Sequence, residues 1–298
     1  MLAGNVRYLR ISGFHWTRDE TGAAYDDAMR FLKDGDALIL DLRGNGGGSH
    51  AAVQYLVSHF LEEDTLLMTF HRGSEPPVQS RTLAHVPAGR LQGKPLYVLI
   101  DGGVGSAGED FVYDVQQFKL GELIGTRTAG AANNNGFTPI PPGFMLSVLE
   151  GRPIHAVSQT NWEGVGVAPD VEVPPAQALD VAHARALKGL MAKSGPTPAQ
   201  RAEAAWAQVG IEARLHPVSL APARLKTLAG RFGETQVSFR DGALWLVRAR
   251  RPDARSLPLT EDGLFAVEGS ERLRVRLTGK ALELSWLGEP EPVVLTRS

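Results

Sequence analysis

Along the first half of this 298-residue chain, apolar residues fall in short runs that end at glycine, and helical spacing takes over after each run. Positions 6–11 alternate as a half-buried strand does, and 24–33 carry Ala28, Phe31 and Leu32 at helical spacing. A continuous apolar strand is predicted at 37–42, then Arg43 and a glycine-rich turn at 44–48, then an amphipathic helix over 50–61. Strands are expected at 65–70 and 78–86. The order then repeats, with a strand at 96–100, Gly102, Gly103 and Gly105 in the turn, and a helix from Ser106 with Phe111, Val115 and Phe118 on one face. A short strand at 122–125 leads into a loop of small and amide residues at 126–136. Strands at 144–148 and 153–157, a turn-rich segment at 161–170 and helices at 176–193 and 197–209 follow. The last helix opens with Thr197-Pro198 and has Gln200 at capping-box spacing.

Past residue 220 the period changes to two. Short strands are expected at 231–233, 237–239, 243–247, 264–267, 273–277 and 282–286, with turn signals at Asp241-Gly242 and Asp262-Gly263. Trp245, Phe265 and Trp286 then read as core. The pattern implies an α/β core over 1–195, a helical linker over 196–220 and a small β-barrel-like or β-sandwich-like domain over 221–298.

Charge narrows the partners. With 31 basic and 33 acidic residues there is no electrostatic footprint for nucleic acid or an anionic membrane. The absence of cysteine removes disulfides, thiolate zinc sites and cysteine nucleophiles together. No apolar run reaches membrane-spanning length, no metal-ligand spacing occurs, and no cofactor is implied. The first residues lack the basic-then-apolar layout of a signal peptide and begin almost inside a strand. That suggests the latter part of a longer ancestor and leaves the compartment unassigned.

Two glycine turns carry the candidate chemistry. Ser106 stands at a strand-to-helix corner, beside helix N-terminal N–H groups that can stabilise a negative oxygen, which suits a nucleophile; it would equally serve as an N-cap. The turn at 44–48 is not followed by Lys-Ser/Thr and lacks dinucleotide-binding spacing. It can present bare backbone N–H groups as an oxyanion hole, or be a flexible turn.

The blocks 40–48, 105–111, 124–130 and 161–170, in this order and spacing, resemble one family. It is that of the serine peptidases that include C-terminal processing peptidases, the tricorn core and interphotoreceptor retinoid-binding protein. The likeness covers about residues 5–190. It implies a ClpP/crotonase-like spiral core, Ser106 as nucleophile, and an oxyanion hole from the N–H groups of Gly46 or Gly47 and of Ala107. In the processing branch a lysine follows the serine; that register here holds Ala131, so the serine–lysine dyad is absent. The tricorn-like branch pairs the serine with a downstream glutamate, matched by Glu163, and with a histidine that would lie upstream of Met1. Glu163 alternatively reads as an exposed turn acid. His50 and His155 are the histidines within the chain that could serve as base, although neither matches a family catalytic position. Asn133 and Asn134 are candidate substrate-binding residues, or part of a solvated loop.

The resemblance implies a serine endopeptidase acting on peptide or protein substrates, impaired if the base-bearing segment is missing. The alternative is a non-catalytic binder of an apolar ligand or peptide tail. An acyl-CoA enzyme of crotonase type shares the fold and ranks third. Homo-oligomerisation is compatible with the family, whose members are usually extracytoplasmic.

Overall fold

The computed structural model describes residues 1–15, 19–248 and 252–298. These divide into two units, Met1–Ala186 and Leu187–Ser298.

The first unit contains β1 (Val6–Arg10), α1 (Asp19–Lys33), β2 (Ala37–Asp41), α2 (His50–Val57), β3 (Leu66–His71), β4 (Val78–Arg81) and β5 (Leu96–Ile100). It continues with α3 (Ala107–Gln117), β6 (Glu122–Gly125), β7 (Asn134–Ile140), β8 (Phe144–His155), β9 (Val171–Glu172) and the first part of α4 (Ala178–Met191), whose last residues count with the second unit. Five strands form a parallel sheet in the order β1-β2-β5-β6-β9. β2 and β5 occupy its middle and are buried at every residue, which is why both read as unbroken apolar runs. Phe111 of α3 packs its ring against Phe14 and Phe60 at 6.1 and 6.4 Å between centroids, fastening the helix to the sheet. A second sheet, β4-β3-β8-β7, is antiparallel.

Several boundaries differ from the sequence expectation. The strand expected at 78–86 stops at Arg81. The helix expected to reach 61 ends at Val57, where the Ser58 hydroxyl donates to Gln54 O at 2.6 Å. The two strands expected at 144–148 and 153–157 are one twelve-residue strand, β8. Pairing with β7 along one end and β3 along the other carries it through the Glu150-Gly151 break in the apolar pattern. The loop expected to run to 136 gives way to β7 at Asn134. The β7–β8 hairpin leaves Phe137, Phe144, Met145 and Leu149 exposed.

The second unit holds α5 (Pro198–Leu215) and α6 (Pro222–Leu228). Its strands are β10 (Gly230–Phe232), β11 (Thr235–Arg240), β12 (Ala243–Arg248), β13 (Ala254–Pro258), β14 (Leu264–Val267), β15 (Ser270–Leu277), β16 (Ala281–Trp286) and β17 (Val293–Thr296). The eight strands form an antiparallel meander in sequence order. A bridge between Phe232 and Arg297, with Ser298 N–H donating to Arg231 O, joins the first strand to the chain end. Asp241 and Gly242, both at positive φ, make the two-residue turn between β11 and β12. β13 and β17 had no counterpart in the sequence reading. The 196–220 segment, expected as a linker, forms α5 and packs within this unit: Trp206 Nε1 donates to Glu271 O at 3.1 Å and Arg274 lies over the Trp206 ring. Among the described residues no helix is long and apolar enough to cross a membrane.

Candidate active site

β2 and β5 are neighbours running the same way, so the glycine turns after them emerge at one edge of the sheet. Two polar side chains tie these turns together. Asp101 Oδ1 accepts the N–H groups of Gly103 and of Gly44, each at 2.9 Å. Buried Asn45 donates through Nδ2 to Ile11 O and accepts Gly47 N–H at Oδ1, while its backbone carbonyl takes Gly105 N–H. Gly47 therefore lies directly against Ser106.

Ser106 is exposed and caps α3 with φ 51° and ψ −123°. Such a backbone costs a non-glycine residue about 1–3 kcal/mol and persists only where the surroundings over-determine it. Its N–H donates to Glu109 Oε2 at 3.1 Å, the return half of a capping box.

The three residues proposed for the oxyanion hole separate. Ala107 N–H, at the first helical position, and Gly46 N–H have no hydrogen-bond acceptor among the described residues. Gly47 donates its N–H to Asn45 Oδ1 at 2.9 Å, which sets it apart from the other two. It has φ 113°, and a Cβ there would lie 2.8 Å from Ser106 Cβ.

Beside the serine runs the loop 128–133. Glu109, wholly buried, accepts the Thr128 hydroxyl and the N–H groups of Gly130 and Ala131 as well as that of Ser106. Exposed Glu163 accepts the next two amides, Ala132 and Asn133, each at 2.8 Å on Oε2, and no histidine touches it among the described residues. Asn133 also receives Asn161 Nδ2 at Oδ1. Asn134 pairs with Gly151 at the start of β7 and is exposed.

Neither candidate histidine hydrogen-bonds to Ser106. His50, the first residue of α2, puts Nδ1 2.5 Å from Asp110 Oδ2 and Nε2 2.7 Å from Ser80 Oγ, with its ring edge-on to Phe70. Burial opposes its protonation, but the carboxylate of Asp110, and behind it that of Asp114, outweigh burial and raise the His50 pKa. His155 is wholly buried. Its Nδ1 accepts Val157 N–H, so the ring proton sits on Nε2, 3.2 Å from Asp114 Oδ1. Burial pushes the His155 pKa down to about 4, and pushes that of Asp114 well up with help from the charge of Asp110. The structure thus places His155 in a buried pair and not at the serine.

Sequence reasoning missed Asn45, Asp101, Glu109 and Asp110. The serine-to-glutamate spacing of a capping box was available for Glu109, and an Asn or Asp two residues before a glycine for Asn45 and Asp101; nothing local announced Asp110.

The profile of Peptidase family S41 matches residues 5–173. The chain is 27% identical over 179 residues to the carboxy-terminal-processing protease of Bartonella bacilliformis, covering 57% of this chain and 39% of that protein. It is 33% identical over 139 residues to the tricorn protease of Thermoplasma acidophilum, covering 46% of this chain and 12% of that protein. The chain therefore spans well under half the length of either relative. Its fold is similar to that of mature CPAF, with a TM-score of 0.52 at 15% identity, covering 64% of this chain and 52% of that one.

Proposed function

Because this chain belongs to peptidase family S41, we propose that it hydrolyses peptide bonds through an acyl-enzyme on Ser106. The observation that carries this reading is an exposed serine, held at positive φ, beside two backbone N–H groups that have no acceptor among the described residues. Ser106 Oγ attacks the carbonyl carbon of a peptide or protein substrate. The N–H groups of Gly46 and Ala107 receive the developing oxyanion, the amine leaves with a proton, and water releases the acyl group. The ClpP/crotonase-like spiral belongs to the same reading, supported by the parallel sheet that brings both turns to one edge.

For the base, His50 fits better than His155. Its Nδ1 rests on a carboxylate, its Nε2 faces a hydroxyl, and Asp110 lies one helical turn beyond Ser106 on α3. The hydroxyl it meets is that of Ser80, so His50 must exchange Ser80 for Ser106 in the reacting complex. Glu163 supports the site by holding the loop beside the serine.

A second reading is favoured by one observation: among the described residues no histidine or lysine hydrogen-bonds to Ser106. The cleft would then bind an apolar ligand or peptide tail without turnover. Covalent labelling with a fluorophosphonate separates the two. Labelling that maps to Ser106, vanishes in Ser106→Ala and drops sharply in His50→Ala supports the peptidase. No labelling between about pH 6 and pH 9 leaves the binding role.

A further inference from the structure

Glu109 is the third residue of α3, it is wholly buried, and no cationic side chain pairs with it among the described residues. Its Oε2 accepts Ser106 N–H at 3.1 Å and Ala131 N–H at 2.8 Å. Its Oε1 accepts the Thr128 hydroxyl and Gly130 N–H, both at 2.6 Å. A carboxylate offers about four lone-pair sites, and each here has its own donor. A capping-box glutamate needs only the return bond to the N-cap N–H. The other three bonds of Glu109 go to a loop far along the chain, which helix capping does not require.

We propose that Glu109 is a positioning residue for Ser106, locking the nucleophile and the 128–131 loop into one hydrogen-bonded body. The proposal rests on the reading of Ser106 as nucleophile; Glu109 itself touches no substrate. The bond to Ser106 N–H fixes the peptide plane before the serine, and with it the direction of Cα–Cβ relative to Ala107 N–H. Released from the carboxylate, that N–H can turn to water. The backbone can then relax from φ 51° toward negative φ, swinging Oγ away from the oxyanion donors.

The loop end of the lock is anchored in turn. Ala129 N–H donates to Val104 O at 2.9 Å, Val167 N–H to Thr128 Oγ1 at 2.7 Å, and Gly164 N–H to Gly130 O at 2.9 Å. Glu163 repeats the device on the next two amides, so the four consecutive N–H groups of residues 130–133 are divided between two carboxylates. Both glutamates hold the same strip of backbone, and Glu109 alone reaches the serine.

The test uses the whole chain with Glu109→Gln, which keeps the shape but places an NH₂ group against N–H donors. Three quantities are measured: fluorophosphonate inactivation resolved into its maximal rate and its half-saturating concentration, hydrogen exchange of the 128–133 amides, and the thermal midpoint. The expected result is a folded protein whose maximal rate falls about tenfold or more, with the half-saturating concentration unchanged and protection lost at residues 130 and 131. In Glu163→Gln the lost protection is at 132 and 133 instead. A wild-type maximal rate in Glu109→Gln overturns the proposal, and so does unchanged protection at 130 and 131. If Glu109→Gln does not fold, Thr128→Val removes one donor and should slow labelling several-fold, while Thr128→Ser restores it; equal rates in the two overturn the proposal. If the wild-type chain does not label at all, the reading of Ser106 fails, and the exchange measurement still decides whether the lock exists.

Discussion

Gly47 packs so closely on Ser106 that a methyl group at Gly47 would come within 2.8 Å of the serine Cβ and 3.0 Å of Ala107 N. The two glycine turns meet where Gly47 has no side chain, and Gly108 leaves equally little room against Asn45 O. Gly47→Ala should destabilise the chain by about 2 kcal/mol or more, from its positive φ and the overlap together, and should displace the serine. Gly46 has open space around its Cβ position and no positive φ, so Gly46→Ala should leave the thermal midpoint near wild type. Equal midpoints for the two variants would contradict this account of the contact.

The contact between His50 and Asp110 carries a pH signature. Asp110 raises the His50 pKa in the folded chain, so the stabilisation from the pair is fully present below about pH 6.5. It is lost as pH rises through the raised folded value. In denaturant melts, the stability gap between wild type and Asp110→Asn should narrow from about pH 6 to about pH 9. If His50 is the base, the labelling rate of Ser106 should rise with pH through that same raised value, and Asp110→Asn should move the midpoint down. A labelling profile that Asp110→Asn leaves in place would remove His50 from the mechanism.

His155 and Asp114 pull in opposite directions. The His155 pKa is lowered to about 4, so its neutral form in the fold stabilises above the ordinary histidine value. That contribution is lost as pH falls from about 6.5 toward the folded value. Asp114 has its pKa raised by burial and by Asp110, so it opposes folding increasingly as pH rises above the ordinary carboxylate range. Asp114→Asn keeps an acceptor for His155 Nε2 and removes the acid. Its melting temperature should match or exceed wild type at about pH 8 and lose that advantage toward about pH 4. A variant markedly less stable than wild type at the higher pH would overturn this assignment.

The amino-acid sequence by itself determined the parts whose causes are local. The buried runs of β2 and β5, the glycine turns after them and the corner at Ser106 follow from apolar continuity and from backbone freedom that only a few residue types possess. The cap at Thr197 and the turn at Asp241-Gly242 are equally local. Membership of the family was legible from four ordered blocks for the same reason, since each is a turn or corner with strict local demands. Where neighbours in space supply the missing support, the pattern misled: β8 runs through Glu150-Gly151 because strands on either side hold it, and α5 packs inside the second unit although its sequence reads as a linker.

The bond that sets Gly47 apart from Gly46 is local, since Asn45 Oδ1 takes the N–H two residues on. Tertiary structure alone decided the fate of the acids and histidines. Glu109 reads as an ordinary first-turn acid until the 128–131 loop arrives with three donors, and His155 is a possible base until the fold buries it against Asp114. His50 meets Asp110 across 60 residues of chain. A hydrogen bond depends on a few tenths of an ångström and on direction, and a sequence pattern carries neither across such separations.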